Sequence, residues 1–130
     1  MRKLLLLLCL PLVAQAAGEG AWQASAMGIT LNHRGEAASS VPLVSSQPVQ
    51  GATTRVAWNI QLNGPIPAGL STRLCSLTRC IELDGLSGST MAFSQVSPAE
   101  PFRFIWEVPG GGRLIPALRV QSIQIIVNYR

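Results

Sequence analysis

Hydrophobic residues in this chain recur at alternate positions rather than along a helical stripe. Within Thr53–Leu62, Thr54, Val56, Trp58, Ile60 and Leu62 share one parity, while Arg55, Asn59 and Gln61 take the other. Phe102, Phe104, Trp106 and Val108 alternate against Arg103 and Glu107, and Ile123, Ile125, Val127 and Tyr129 repeat the pattern near the C-terminus. A period of two belongs to a strand with one face in a core, and no convincing stretch follows the i, i+3, i+4, i+7 spacing of a helix. Trp22–Asn32 predicts one or two strands broken at Gly28, and Thr90–Ser94 a short strand. Leu70–Leu74 and Cys80–Leu83 predict the two arms of a hairpin. Arg113–Val120 predicts a strand returning antiparallel to Phe102–Val108 across a turn at Pro109–Gly112. Pro116, which cannot donate to a ladder, marks a bulge or an edge there. Ala, Ser, Pro and Gln dominate Gly35–Gly51, which reads as a loop or irregular edge.

Alternating strands need a partner layer for their apolar faces. The expected fold is therefore all-β: a small antiparallel β-sandwich of immunoglobulin-like architecture with about seven to eight strands, a small barrel being the alternative. The Cys…Trp…Cys pattern of antibody domains is absent, so the likeness is architectural.

The first residues follow a different rule. Arg2 and Lys3 precede an apolar stretch, Leu4–Val13, and Ala14-Gln15-Ala16 supplies the small-x-small pattern of a cleavage site. This predicts a secretory signal peptide over residues 1–16, leaving one domain over residues 17–130 in an oxidising compartment. A membrane span needs about 20 apolar residues, more than this stretch supplies before Pro11 interrupts it. No later stretch is long enough either.

Composition changes this picture little. The 130 residues are 12% charged and 48% hydrophobic, which argues against a disordered chain. Without Arg2 and Lys3 the basic residues are all arginines, scattered as Arg34, Arg55, Arg73, Arg79, Arg103, Arg113, Arg119 and Arg130. Nucleic-acid binding calls for a dense basic face, and none is visible, so no nucleic-acid partner is expected.

Cleavage would also remove Cys9 and leave Cys75 and Cys80. An even count in an oxidising compartment predicts one disulfide, and the Cys-x4-Cys spacing places it as a staple across a hairpin tip. Closing so short a loop contributes about 2 kcal/mol in the chain-entropy model. Redox chemistry of the thioredoxin kind uses Cys-x-x-Cys at a helix start, and this pair has neither feature.

The remaining candidates for chemistry are thin. His33 is the sole histidine; a catalytic triad would have to draw on Asp84 and one of many serines, and Gly85-Leu86-Ser87-Gly88 lacks the Gly-x-Ser-x-Gly spacing. His33 with Glu36 falls short of a metal's ligand count. Gly110–Gly112 is followed by Arg113-Leu114 rather than Lys-Ser/Thr and a helix, so it reads as a turn and not a phosphate loop. As an exposed tip, Pro109, Gly110, Gly111, Gly112 and Arg113 form a candidate partner-contact loop. Glu82, Asp84, Glu100 and Glu107 read as solvated acids rather than a glycosidase pair. Trp58 and Trp106 fall on apolar faces; Trp22 is the least constrained of the three tryptophans, and with it a glycan- or peptidoglycan-binding module is the alternative function.

Four blocks together carry a family likeness: Ala17–Ser25, Gly28–Glu36, the long segment Glu100–Leu118 with Phe102-Arg103-Phe104-Ile105-Trp106 and Pro109-Gly110-Gly111-Gly112-Arg113, and Ile126–Arg130. With the Cys75/Cys80 pair they closely resemble the FlhE family of flagellar proteins. The resemblance implies a non-catalytic periplasmic accessory of flagellar biogenesis. Its implied partners are the flagellar type III export apparatus or flagellar subunits, beside which it acts as a plug or chaperone limiting proton leakage. It brings no motif of catalytic, cofactor or metal residues, so no cofactor is expected.

Overall fold

The computed structural model describes residues 20–130; the expected signal peptide lies outside them. Nine strands follow in order: β1 (Gly20–Met27), β2 (Thr30–His33), β3 (Ala37–Ser39), β4 (Thr53–Leu62), β5 (Ser71–Cys75), β6 (Cys80–Glu82), β7 (Ser87–Thr90), β8 (Arg103–Glu107) and β9 (Arg113–Tyr129). They form two antiparallel sheets. One runs β1-β9-β4-β7, with β2 continuing the β1 edge along β9; the other runs β3-β8-β5-β6. The all-β sandwich expected from the alternation is the fold found.

The core lies between the sheets. Val56, Leu74, Phe93, Phe102, Phe104, Trp106, Val108, Leu118, Ile125 and Val127 are fully buried within it. Phe93 meets Phe102 edge-on at 5.2 Å between ring centroids. In β4, the buried residues Val56, Trp58 and Ile60 alternate with exposed Arg55, Asn59 and Gln61 as the sequence predicts.

Four local expectations are corrected. First, Arg113–Val120 does not pair with Phe102–Val108: β8 lies between β3 and β5, while β9 lies in the opposite sheet. Pro109–Gly112 is thus an arch between layers. Two amphipathic strands joined by a short loop bury their apolar faces equally well side by side or across a core, and alternation does not distinguish these. Second, the last two expected strands are one. Gln61 pairs with Ser122 but Leu62 with Val120, so Gln121 is an extra residue on β9. This bulge switches the inward parity from Leu118 and Val120 to Ile123, Ile125 and Val127, and along the sequence a parity switch looks like a strand end. The register with β2 also slips, between Leu31 and His33, opposite the stretch that holds Pro116 and its cis peptide bond. The break in regular pairing expected at Pro116, as a bulge or an edge, takes the form of this register shift.

Third, the short strand lies at Ser87–Thr90, and residues 91–94 are a turn that buries Phe93 completely. β7 carries no large apolar residue to betray it; instead the Trp58 ring lies over Gly88, where a Cβ would stand 3.0 Å from Cζ2. Fourth, the loop reading of Gly35–Gly51 gives way to the edge reading, since the segment is partly ordered along the edge of the second sheet. Ala37–Ser39 pairs with β8, Ser40 N–H donates to Phe104 O at 2.8 Å, and buried Leu43 bridges to Phe102.

Candidate functional site

The hairpin disulfide is present, with Cys75 and Cys80 directly opposite one another and their Cα atoms 4.0 Å apart. Its tip is held by more than sulfur. The Glu100 carboxylate accepts the Leu77 N–H at 3.0 Å and the Thr78 hydroxyl at 3.1 Å. Arg79 Nη1 donates to the carbonyls of Ala92 at 2.7 Å and Ser94 at 3.1 Å. Glu100 and Arg79 therefore tie the 76–79 loop to the segment before β8, a role that sequence reading missed because each looks like an ordinary surface charge.

Three other acids are also engaged locally. Ser71 Oγ donates to Glu82 at 2.6 Å, and Glu107 lies 3.7 Å from Arg73. His33 and Glu36 stand 3.8 Å apart at the surface. Among the described residues there is no group of three or more His, Cys, Asp or Glu placed to hold a metal ion.

The three tryptophans do not form a sugar-stacking platform. Trp22, Trp58 and Trp106 are 8%, 8% and 0% exposed. The Trp22 indole N–H donates to Pro98 O at 2.8 Å, so the ring judged least constrained is a core residue with a satisfied polar end. The glycan-binding alternative loses the residue it rested on.

The candidate contact loop stands at the opposite end of β5 from the disulfide. β8 runs antiparallel to β5, pairing Arg103 with Cys75 and Glu107 with Ser71, so the arch after β8 emerges beside the start of β5. Its shoulders are pinned by the β2–β3 turn: Gly35 N–H donates to Val108 O at 2.7 Å and Arg34 N–H to Gly112 O at 2.8 Å. Gly35 has φ +80°, and a Cβ there would collide with the Gly110 carbonyl oxygen, so the pin requires glycine. The apex itself, Pro109 to Arg113, is exposed.

Next to the arch is a shallow depression of about 220 Å³ lined by Arg34, the Pro65–Ala68 loop and Leu114–Pro116. Two isoleucines stand out of its rim, Ile66 at 60% and Ile115 at 78% exposure. Exposed isoleucines grouped with prolines are costly to leave in water and are what a contact surface offers. Arg34 and Arg113 flank them, and neither makes an ion pair among the described residues. The loop was legible from its glycines. The isoleucines were not, because Ile66 lies in an uninformative Pro/Gly segment and Ile115 sits out of phase with the alternation of its strand.

Comparison with known proteins agrees with this architecture. The family model described as "Flagellar protein FlhE" matches residues 28–130. The chain is 66% identical to the flagellar protein FlhE of Salmonella typhimurium and 65% to that of Escherichia coli K12, each over 130 residues covering the whole of both chains. Over 124 residues it is 40% identical to that of Yersinia enterocolitica, covering 93% of this chain and 87% of the relative. A crystal structure described as FLHE superposes with a TM-score of 0.86 at 67% identity, covering 88% of this chain and 99% of that one.

Proposed function

This chain belongs to the FlhE family of flagellar proteins, and from that membership we propose that it is a non-catalytic periplasmic accessory of flagellar biogenesis. It works by protein–protein contact at the flagellar type III export apparatus, as a plug or chaperone that limits proton leakage. The family supplies the flagellar role. The observation that supports contact as the mechanism is the arch end, where Ile66 and Ile115 project beside Arg34 and Arg113, which make no ion pair among the described residues, on a backbone pinned by Gly35. A rigid backbone lowers the ordering cost of binding, the isoleucines supply apolar area, and arginine forks pair bidentately with carboxylates of a partner.

The test replaces Ile66 and Ile115 by glutamate together in cells building flagella. Both side chains are exposed, so the fold and the protein level should be retained. Cytoplasmic pH is followed after an external acid pulse. The expected result is acidification as fast as in cells lacking the protein. An unchanged leak at preserved protein level would remove this surface from the mechanism.

A further inference from the structure

The open sheet edges are of two kinds. β3 and β6 have three residues each and β7 has four; such short edges give an incoming strand little to pair with. β1 is different. It has eight residues, Gly-Ala-Trp-Gln-Ala-Ser-Ala-Met, with no charge and no proline, and it pairs with β9 in unbroken register from Gly20↔Tyr129 to Met27↔Ser122. Among the described residues none of the usual devices that blunt an edge is present on it.

The outward groups can be assigned. Arg130 exchanges both backbone hydrogen bonds with Ala52, at 3.0 and 2.9 Å, so its N–H and C=O point toward the β4 side. Alternation then directs Tyr129, Val127, Ile125 and Ile123 toward β1, and their partners Gly20, Trp22, Ala24 and Ala26 toward β9. Ala21, Gln23, Ser25 and Met27 therefore aim their N–H and C=O groups away from the sheet, and all four are exposed, Met27 at 82%. No backbone hydrogen bond from another described segment reaches them.

We propose that β1 is a pairing edge for a second copy of this chain, the two β1 strands meeting antiparallel about a two-fold axis with Ala21 opposite Met27 and Gln23 opposite Ser25. Near the two-fold axis a residue faces its own copy (Ala24) or has it as a diagonal neighbour (Gln23, Ser25), so a charge there would stand close to a like charge. An edge free of charge over its whole length escapes that penalty. This register pairs all four outward residues of each copy, keeps both apolar faces on the core side, and places a small side chain opposite a large one at Ala21–Met27. The Gln23 amide and Ser25 hydroxyl are complementary donors and acceptors across the same face.

The test is sedimentation equilibrium of the untagged protein, purified from the cells that make it, over a wide concentration series. A concentration-dependent shift from monomer to dimer mass is expected. Hydrogen exchange should show the amides of Gln23, Ser25 and Met27 gaining protection with concentration, while those of Trp22, Ala24 and Ala26 are protected throughout. Gln23→Lys with Ser25→Lys should weaken association at least tenfold, as should Gln23→Glu with Ser25→Glu, and an equimolar mixture of the two should restore a dimer. A monomer mass at every concentration, concentration-independent exchange at those amides, or failure of the mixed charges to pair would overturn the proposal.

Discussion

Replacing Trp22 with phenylalanine separates a packing role from a surface one. The indole is 8% exposed, donates its N–H to the carbonyl of buried Pro98 at 2.8 Å, and lies 6.3 Å from the Phe102 ring centroid at a tilt of 54°. Phenylalanine keeps a ring against Phe102 but removes the donor and the second ring. A buried carbonyl left without its partner costs about 1–3 kcal/mol, and the vacated volume adds to that. The expected loss is about 2–3 kcal/mol, a sizeable part of the roughly 5–15 kcal/mol that stabilises a domain. For a chain of this size it lowers the melting temperature by roughly 10–20 °C. Urea unfolding followed by circular dichroism reads the same loss as a lower midpoint at unchanged slope, because the surface exposed on unfolding hardly changes. An unfolding midpoint equal to that of the unmodified protein would refute the reasoning. The indole would then not be part of the core, and its availability to a ligand would have to be reconsidered.

Two further perturbations probe the opposite ends of β5. Cys75→Ser with Cys80→Ser should cost about 2 kcal/mol of unfolding free energy, and a reductant should shift the unmodified protein by the same amount while leaving the variant unmoved; equal stability of the two forms would show that Glu100 and Arg79 alone fix the tip. Gly35→Ala should cost about 1–3 kcal/mol, since it puts a Cβ at positive φ against the Gly110 carbonyl, whereas Gly111→Ala, with nothing within 4 Å of the new Cβ, should stay within about 0.5 kcal/mol by thermal unfolding. Equal effects at the two glycines would deny that the arch is pinned.

Much of the fold was legible because it follows from side-chain parity. β8, and β4 from Val56 onward, could be read directly, since each keeps a single inward parity there; at the start of β4 a register shift buries Thr53 in place of the expected Thr54. Parity fails where the chain changes phase, and this is why β9 was read as two strands: the extra residue Gln121 moves the apolar set from even to odd positions. It also fails where a strand has little apolar content. β7 is Ser-Gly-Ser-Thr and β3 is Ala-Ala-Ser; both exist because neighbours supply what they lack, the Trp58 ring over Gly88 and the β8 backbone beside Ser40. Pairing between layers is a third gap, since a four-residue link serves an arch as well as a hairpin. The contact end suffered most. Its glycine arch was visible, but its grouping with Ile66 depends on loops distant in sequence, and Trp22 was misplaced because proximity to a terminus says nothing about burial.

The two tips also differ in what they have left to offer a partner, and this decides between them as contact surfaces. Leu77 on the disulfide tip is 70% exposed, comparable with Ile115 at 78%, so apolar exposure alone does not choose. The polar groups do. At the disulfide tip, Glu100 is engaged by Leu77 and Thr78, and Arg79 by two carbonyls. A partner reaching for those charges must first break hydrogen bonds that already exist, so its gain is offset by the loss. At the arch end Arg34 and Arg113 have no carboxylate within reach among the described residues, while their backbone is held by the Gly35 and Arg34 amides. A carboxylate arriving there forms a charge-assisted pair with nothing to displace but water, on a surface whose main-chain order is already established. Closure of one tip and availability of the other thus stand at opposite ends of β5, the charges around one end being satisfied and those around the other left for a partner.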